Sequence, residues 1–450
     1  MHYVSKICCM RACVDMQVGR WQGMLIISLE VLFLSLLIKN QYKVHNGAIL
    51  LFSFLTQLLI LVAYNVELRI IWGRTVYWSD AEYYWQATIE MLKGLKPEVY
   101  NFGYVFYSWL IQKTSPFVTP LWNNISNVLL IDLSFFIGIQ SILGENKMIR
   151  PRVPHFAYLV TISNPLVIYS LLRNLKDILF LFMVTLSIYI GSEIGKKMCG
   201  DNPTKHKLNV VSLAILLVLY IAPFSVSLTS VRPWGWAIPI TNVFFILLLT
   251  LLRNNGSQKY KSSLIAILVI IVGTLYLSFS SLYKQVSVWL ENRDVLFQEG
   301  RQYNKVTSLL IGPFVMLFGP GPVRSLFGDM YFQYYTLVGN ISAFIGSTIW
   351  YFFLPLFFLL VVKNFQHVFK SFSGGMLICI LLELILIYSY FYGGSTELRF
   401  RGVVYLLAGL TYVATTFHGI RTENQSLFFL SPSYYVFWGL NIIAIIFSLK

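Results

Sequence analysis

Apolar residues in this chain run unbroken for long stretches instead of alternating with polar ones. Such runs lie near 21–38, 48–71, 123–143, 154–172, 177–195, 208–226, 235–252, 263–283, 336–362, 375–392, 402–418 and 427–448. That makes about twelve segments, most of the length needed to cross ~30 Å of hydrocarbon. A membrane barrel would show short segments of alternating polarity, whereas a continuous run satisfies its own backbone in lipid only as a helix. The pattern therefore predicts an all-α, polytopic integral membrane protein. Three further segments, 79–94, 103–113 and 306–320, read as helices that do not fully span.

Composition agrees with that class. Of 450 residues, 57% are hydrophobic and only 12% charged, against roughly 25% charged in soluble domains. The mean hydropathy is +0.67. The connecting loops fall into two sets. One is short and basic, as in ENKMIRPR and RNNGSQKYK, and is assigned to the cytoplasm. The other holds the long loops 73–122 and 284–335, with SLTSVRPWGW and YGGSTELRF, and is assigned to the outer face. A formal net charge of +15 fits the positive-inside bias and contact with anionic membrane lipids. It also leaves outer arginines suited to a lipid phosphate. No soluble basic domain is present to hold nucleic acid.

Five cysteines, Cys8, Cys9, Cys13, Cys199 and Cys379, have no accompanying histidine pattern. Neither a disulfide framework nor a metal–thiolate centre is expected. Residues 1–20 form a stub expected to lie outside the fold, and Met16 offers a second start. The stub has no signal-peptide cleavage pattern, and the run that follows it is long enough to remain as an anchor. Residues 21–450 read as one membrane domain without internal repeats.

The stretch WSDAEYYWQATIEMLKG, residues 78–94, follows a long apolar run and gathers acids with aromatics. Ser79 or Asp80 is placed to cap a helix. Tyr84, Ala87, Thr88, Met91 and Leu92 form an apolar stripe at helical spacing, opposite Asp80, Glu82, Gln86 and Glu90. Gly94 and Pro97 end it. The segment predicts an amphipathic helix in the interface plane, with Trp78, Tyr83, Tyr84 and Trp85 as anchoring rings.

A membrane-proximal Asp, then Tyr-Tyr, L-K-G and a turn into N-F-G-Y, over 79–107, resembles the first outer loop of GT-C glycosyltransferases. Members of that superfamily take a sugar from a polyprenyl-phosphate carrier. The resemblance implies Asp80 as general base or acceptor-orienting acid; Glu82, which matches no fixed pattern of the family, and Tyr84 are candidate substrate contacts beside it. NPLVIYSLLRNLKD (164–177), with Arg173, Lys176 and Asp177 at an outer turn, is similar to a turn of the bacterial members. TELRFRG (396–402), with Glu397, Arg399 and Arg401, resembles an acidic–basic stretch late in those enzymes. LFGPGPVR (317–324) interrupts an apolar run before Arg324, and irregular backbone at such depth belongs beside a cavity or under protein. With Arg232, Arg293 and Arg301 these cations share the outer face, where some can hold the donor phosphate. Glycosyl transfer asks for such a set: a base for the attacking hydroxyl and cations for the leaving phosphate.

The expected partners are a polyprenyl-phosphate-linked sugar and a glycan or glycolipid acceptor. The expected setting is a bacterial inner membrane with the site facing outward. Asp80 with Glu82 would form at most a weak, oxygen-rich site of the Mg2+ or Mn2+ type. In the usual GT-C arrangement the acidic loop follows the first span, whereas here it follows the second apolar run. Two other readings compete. A Wzy-type polymerase of O-antigen or capsule units would draw on Arg293 and Arg301 in the 284–335 loop. A flippase or transporter would favour charge inside spans, where Asp132 and Glu383 are the main acids.

Overall fold

A computed structural model describes residues 47–99, 101–143, 155–199, 210–253, 262, 305–318, 321, 322, 336–392, 398–418, 435 and 439. These residues form helices, and no strand occurs among them. In chain order they are α1 (Gly47–Val66), α2 (Asp80–Leu92), α3 (Phe102–Thr114), α4 (Pro120–Leu143), α5 (His155–Val160) and α6 (Pro165–Leu172). Then come α7 (Asp177–Cys199), α8 (Val210–Val231), α9 (Ala237–Arg253), α10 (Lys305–Phe318), α11 (Leu337–Phe369), α12 (Phe372–Tyr392) and α13 (Leu398–His418). A π-helical turn, Glu67–Ile71, continues α1.

Six described helical segments are long and apolar enough to cross a bilayer, and four shorter apolar ones accompany them. The protein is a multi-pass helical membrane protein. The apolar runs 21–38 and 263–283 and the stub 1–20 lie outside the described residues, as do 427–448 apart from 435 and 439 and most of the 284–335 loop. Lipid-facing surface is visible on α1, through Leu51, Phe52, Leu55 and Leu59, and on α8, through Ile215, Val218, Leu219 and Val226.

Several boundaries move for physical reasons. The run 154–172 is two helices rather than one span. Pro165 has no N–H to bond back to the preceding turn, and the Asn164 side chain caps the helix that starts there, accepting from the backbone N–H of Leu166 at 2.9 Å and Val167 at 3.4 Å. The Asn164 amide also donates to the Gly346 carbonyl of α11 at 3.2 Å. Every residue of α6 is buried, so this irregular backbone is covered by protein, as its depth requires. The segment 363–370, read as a loop, continues α11 to Phe369, which makes it 33 residues long. The span predicted at 402–418 starts earlier, at Leu398, and so takes Arg399 and Arg401 into the first turn of α13.

Helices α6 and α13 occupy the centre, with α11, α12, α4 and α7 around α13. Lipid supplies little drive for helix association, so close backbone approach through small residues matters more. Gly346 shows this: a Cβ there would meet Asn164 Oδ1 and Leu166 Cβ at 2.3 Å and the Leu166 nitrogen at 2.6 Å.

The three predicted non-spanning helices exist as α2, α3 and α10, and the first two pack against each other at one end of the bundle. Helix α2 ends on Gly94, with φ +80°. The Leu95 N–H reaches the Glu90 carbonyl at 3.0 Å, and the Gly94 N–H reaches Met91 at 3.1 Å, the paired bonds of a glycine-terminated helix. A polar layer pins α2 and α3 to the bundle. Thr88 donates to Ser108 at 2.9 Å, and Tyr104 donates to Asn174 at 2.9 Å. Asn123 donates to Asn174 at 2.8 Å, and Asn174 donates to the Ala81 carbonyl at 3.0 Å. Glu67, buried at the end of α1, accepts from the backbone N–H groups of Leu337 at 2.5 Å and Val338 at 2.8 Å. A carboxylate at that place caps α11 and opposes its positive dipole end.

Candidate active site

The hydrogen-bonded ends described above bring distant segments to one place. Asp80, the first residue of α2, meets Arg399, in the first turn of α13, at 2.5 Å. The two lie 319 positions apart in sequence. The Asp80 side chain is 41% exposed and that of Arg399 only 8%. An arginine in a helix's first turn sits at the positive end of the dipole, which disfavours it. Its place is explained by the carboxylate it holds rather than by the helix.

Ser79 stands at the cap position of α2 but its side chain makes no cap hydrogen bond, contrary to expectation. Its φ of +60° is a strained conformation for a residue with a Cβ, costing on the order of 1–3 kcal/mol. The Asp80 backbone is thus set by the strained turn and the Asn174–Ala81 bond, while its carboxylate is fixed across the bundle.

Behind this pair lie more cations. Burial pushes the Asp80 carboxyl up, but the charge and hydrogen bond of Arg399, with the charges of Lys176 and Arg232, outweigh it and hold the group at about 2. Arg232 is itself bound to Asp177 in an ion pair whose two side chains are 2% and 0% exposed. One aromatic ring joins the two pairs. The guanidinium carbons of Arg232 and Arg399 lie 5.3 and 5.1 Å from the Phe400 centroid, and Phe400 stacks on Tyr388 at 4.5 Å.

Tyr84 is buried, so it is part of the site wall rather than an interfacial anchor. Tyr83, on the same helix, is the exposed ring. With the Asn101 amide turned toward its donors, its oxygen accepts from the Tyr84 hydroxyl at 2.9 Å and from Lys176 Nζ at 2.6 Å. Its nitrogen then donates to the Val231 carbonyl at 2.9 Å. Lys176 also lies 5.5 Å from the Tyr84 ring. Burial, and then the Asp80 charge, raise the Tyr84 hydroxyl above its ordinary range, so it stays a neutral donor.

The remaining predicted residues are placed differently. Glu82 is taken by Arg74 at 2.6 Å, with side chains 41% and 32% exposed. Arg173 is buried, its guanidinium 4.9 Å from the Tyr77 centroid and 5.3 Å from that of Tyr169. Arg401 is fully buried on α13, within electrostatic reach of Tyr351. Arg293, Arg301, Arg324 and Glu397 lie outside the described residues. Asn101, Asn174, Phe400 and Glu67 were not anticipated. Asn101, Asn174 and Phe400 lay inside stretches singled out in the sequence, N-F-G-Y, 164–177 and 396–402, whereas Glu67 had no signal.

The donor set around Asp80 does not fit a divalent cation. Three cations act on the carboxylate, Glu82 is engaged by Arg74, and no metal-binding group of three His, Cys, Asp or Glu occurs among the described residues. The arrangement suits an anion beside a carboxylate: a carboxylate at the mouth, with guanidinium and ammonium groups behind it. Among mid-span acids, Asp132 accepts a 2.6 Å hydrogen bond from Gln57.

No protein-family model matches the chain, and no curated protein matches it. Among solved structures it is similar to ArnT from Cupriavidus metallidurans, crystallised in the apo state. The TM-score is 0.35 and the identity 14%, with 83% of this chain and 78% of that one covered. Likeness at that level does not establish a shared fold or activity, so the functional reading rests on the site.

Proposed function

We propose that this protein is a membrane glycosyltransferase using a sugar carried on a polyprenyl phosphate or pyrophosphate. The observation that supports it is the half-open carboxylate of Asp80 held against Arg399, with Lys176 and Arg232 acting on it from behind. In this reading the acceptor hydroxyl attacks the anomeric carbon and Asp80 receives its proton. The bond from that carbon to the carrier oxygen breaks, and the phosphate leaves with the electron pair. Arg399 and Lys176 stabilise the charge that develops on it. Tyr84 and Asn101 fix Lys176, and Phe400 keeps Arg232 and Arg399 side by side. Arg301, Arg324 and Glu397 belong to the same reading as further contacts to donor or acceptor, whereas the buried Arg173 and Arg401 act on the site only through their charge. Asp80 and Glu82 are given no metal.

The site faces the outside of the cytoplasmic membrane in this proposal, and its product is a surface polysaccharide or lipopolysaccharide. The test is transfer from a synthetic polyprenyl-phosphate sugar by purified protein in vesicles. Arg399→Ala should lose transfer and Arg399→Lys should regain part of it, because a point charge replaces the planar fork. Full activity in Arg399→Ala would sink the reading. Lipid-linked intermediates in a strain lacking the protein settle the class of transfer. Chains short of one sugar fit a monosaccharide transferase, whereas single repeat units fit a polymerase.

A further inference from the structure

The Asp80–Arg399 contact poses a difficulty for the function proposed above. A carboxylate clamped by a guanidinium is a weak proton acceptor, and a guanidinium occupied by a carboxylate is not open to phosphate. Both groups that the reaction needs are engaged with each other.

The geometry suggests how they come apart. Asp80 is the exposed partner and Arg399 the buried one, so an incoming anion displaces the carboxylate and not the arginine. Asp80 stands at the end of its helix, after a strained turn that its neighbour's side chain does not cap. Among the described residues Arg399 is the one hydrogen-bond partner that acts on the carboxylate, so once the guanidinium is taken only the more distant charges of Lys176 and Arg232 hold it. Arg399 is seated on Phe400, which also carries Arg232, so the cation stays in place when its partner changes. Lys176 and Arg232 add positive potential at the same spot, which favours a phosphate group over a single carboxylate.

We propose that Arg399 is an exchange point, at which a phosphate ester takes the guanidinium from Asp80 and the released carboxylate becomes the base for the acceptor hydroxyl. The inference rests on the glycosyl-transfer reading and adds an order to it. Donor phosphate binds first, and the base is uncovered by that event. Without donor, Asp80 stays paired with the guanidinium and is a weak base toward any hydroxyl that reaches the site, water included.

Binding of a sugar-free phosphate tests this without turnover. Farnesyl phosphate and inorganic phosphate are titrated into the full-length protein in detergent, with Asp80→Asn, Asp80→Ala, Arg399→Gln and the Asp80→Asn/Arg399→Gln double variant. Removing the competing carboxylate should tighten farnesyl phosphate binding by about tenfold, the size of one charge-assisted contact set free. Both Asp80 variants should show the gain, so it does not depend on one of them folding well. Arg399→Gln should weaken binding and cancel the gain in the double variant. The same gain with inorganic phosphate supports exchange with the phosphate group itself, and a gain with the prenyl ester alone supports exchange that needs the lipid. Unchanged or weaker binding in the Asp80 variants, while the wild type binds, overturns the exchange and leaves glycosyl transfer standing. Failure of the wild type to bind either probe overturns both.

Discussion

Two ion pairs lie side by side at one end of this bundle and share an aromatic ring, yet their surroundings differ. Asp177 and Arg232 are both closed off from solvent and join the start of α7 to the end of α8. Asp80 and Arg399 join α2 to α13 with the acid left 41% exposed. Removing one member of a buried pair strands a charge in low dielectric, while the half-open pair exchanges its partner for water. The first contact therefore holds helices, and the second leaves an acid within reach of a ligand. Chemical type alone does not separate them, since each is an aspartate with an arginine. Burial does.

The comparison can be broken at several points. The largest expected effect is on activity: Asp80→Asn should lower transfer by roughly 10²–10⁴-fold while the protein still purifies as a folded species. Measuring turnover beside thermal unfolding checks both halves, and a variant that unfolds would move this pair into the scaffold. Asp177→Asn should do the reverse, with stability falling by about 3–5 kcal/mol in a denaturation series. Gly346→Val should overpack the α6–α11 contact by about 1–3 kcal/mol, read in the same assay. Glu82→Gln, at the exposed Arg74 pair, should change stability by less than about 1 kcal/mol. The pH response sharpens the contrast further. The Asp80 carboxyl is held at about 2 against an ordinary 3.8, so its folded form is depressed. Its stabilisation is then present at neutral pH and lost only as pH falls below 3.8 toward 2. The stability difference between wild type and Asp80→Asn should stay level from neutral pH down to that range. A difference that fades well above it would mean the ion pair is not formed.

Much of this was legible in the sequence. Long apolar runs marked the spans because lipid demands continuity, and α2 was marked by its periodicity and by Gly94. Asp80 and Arg399 were both singled out, although on separate grounds. Their pairing was not legible, because no local period encodes a contact across 319 positions. The break at Asn164 hid inside an apolar run, although Asn-Pro favours a turn. Arg173 and Arg401 looked like residues of an outer turn, whereas Arg173 lies against tyrosine rings and Arg401 is enclosed within α13's packing. Sequence marks charge readily but not the depth at which a fold places it.

The carboxylate of Glu67 gives two remote stretches of chain a common root. It stands where α1 passes into the π-helical turn that leads to 73–79, and it grips the backbone where the chain returns at 337–338. Its two bonds tie the departure point of one stretch to the return point of the other, so both are anchored by one side chain.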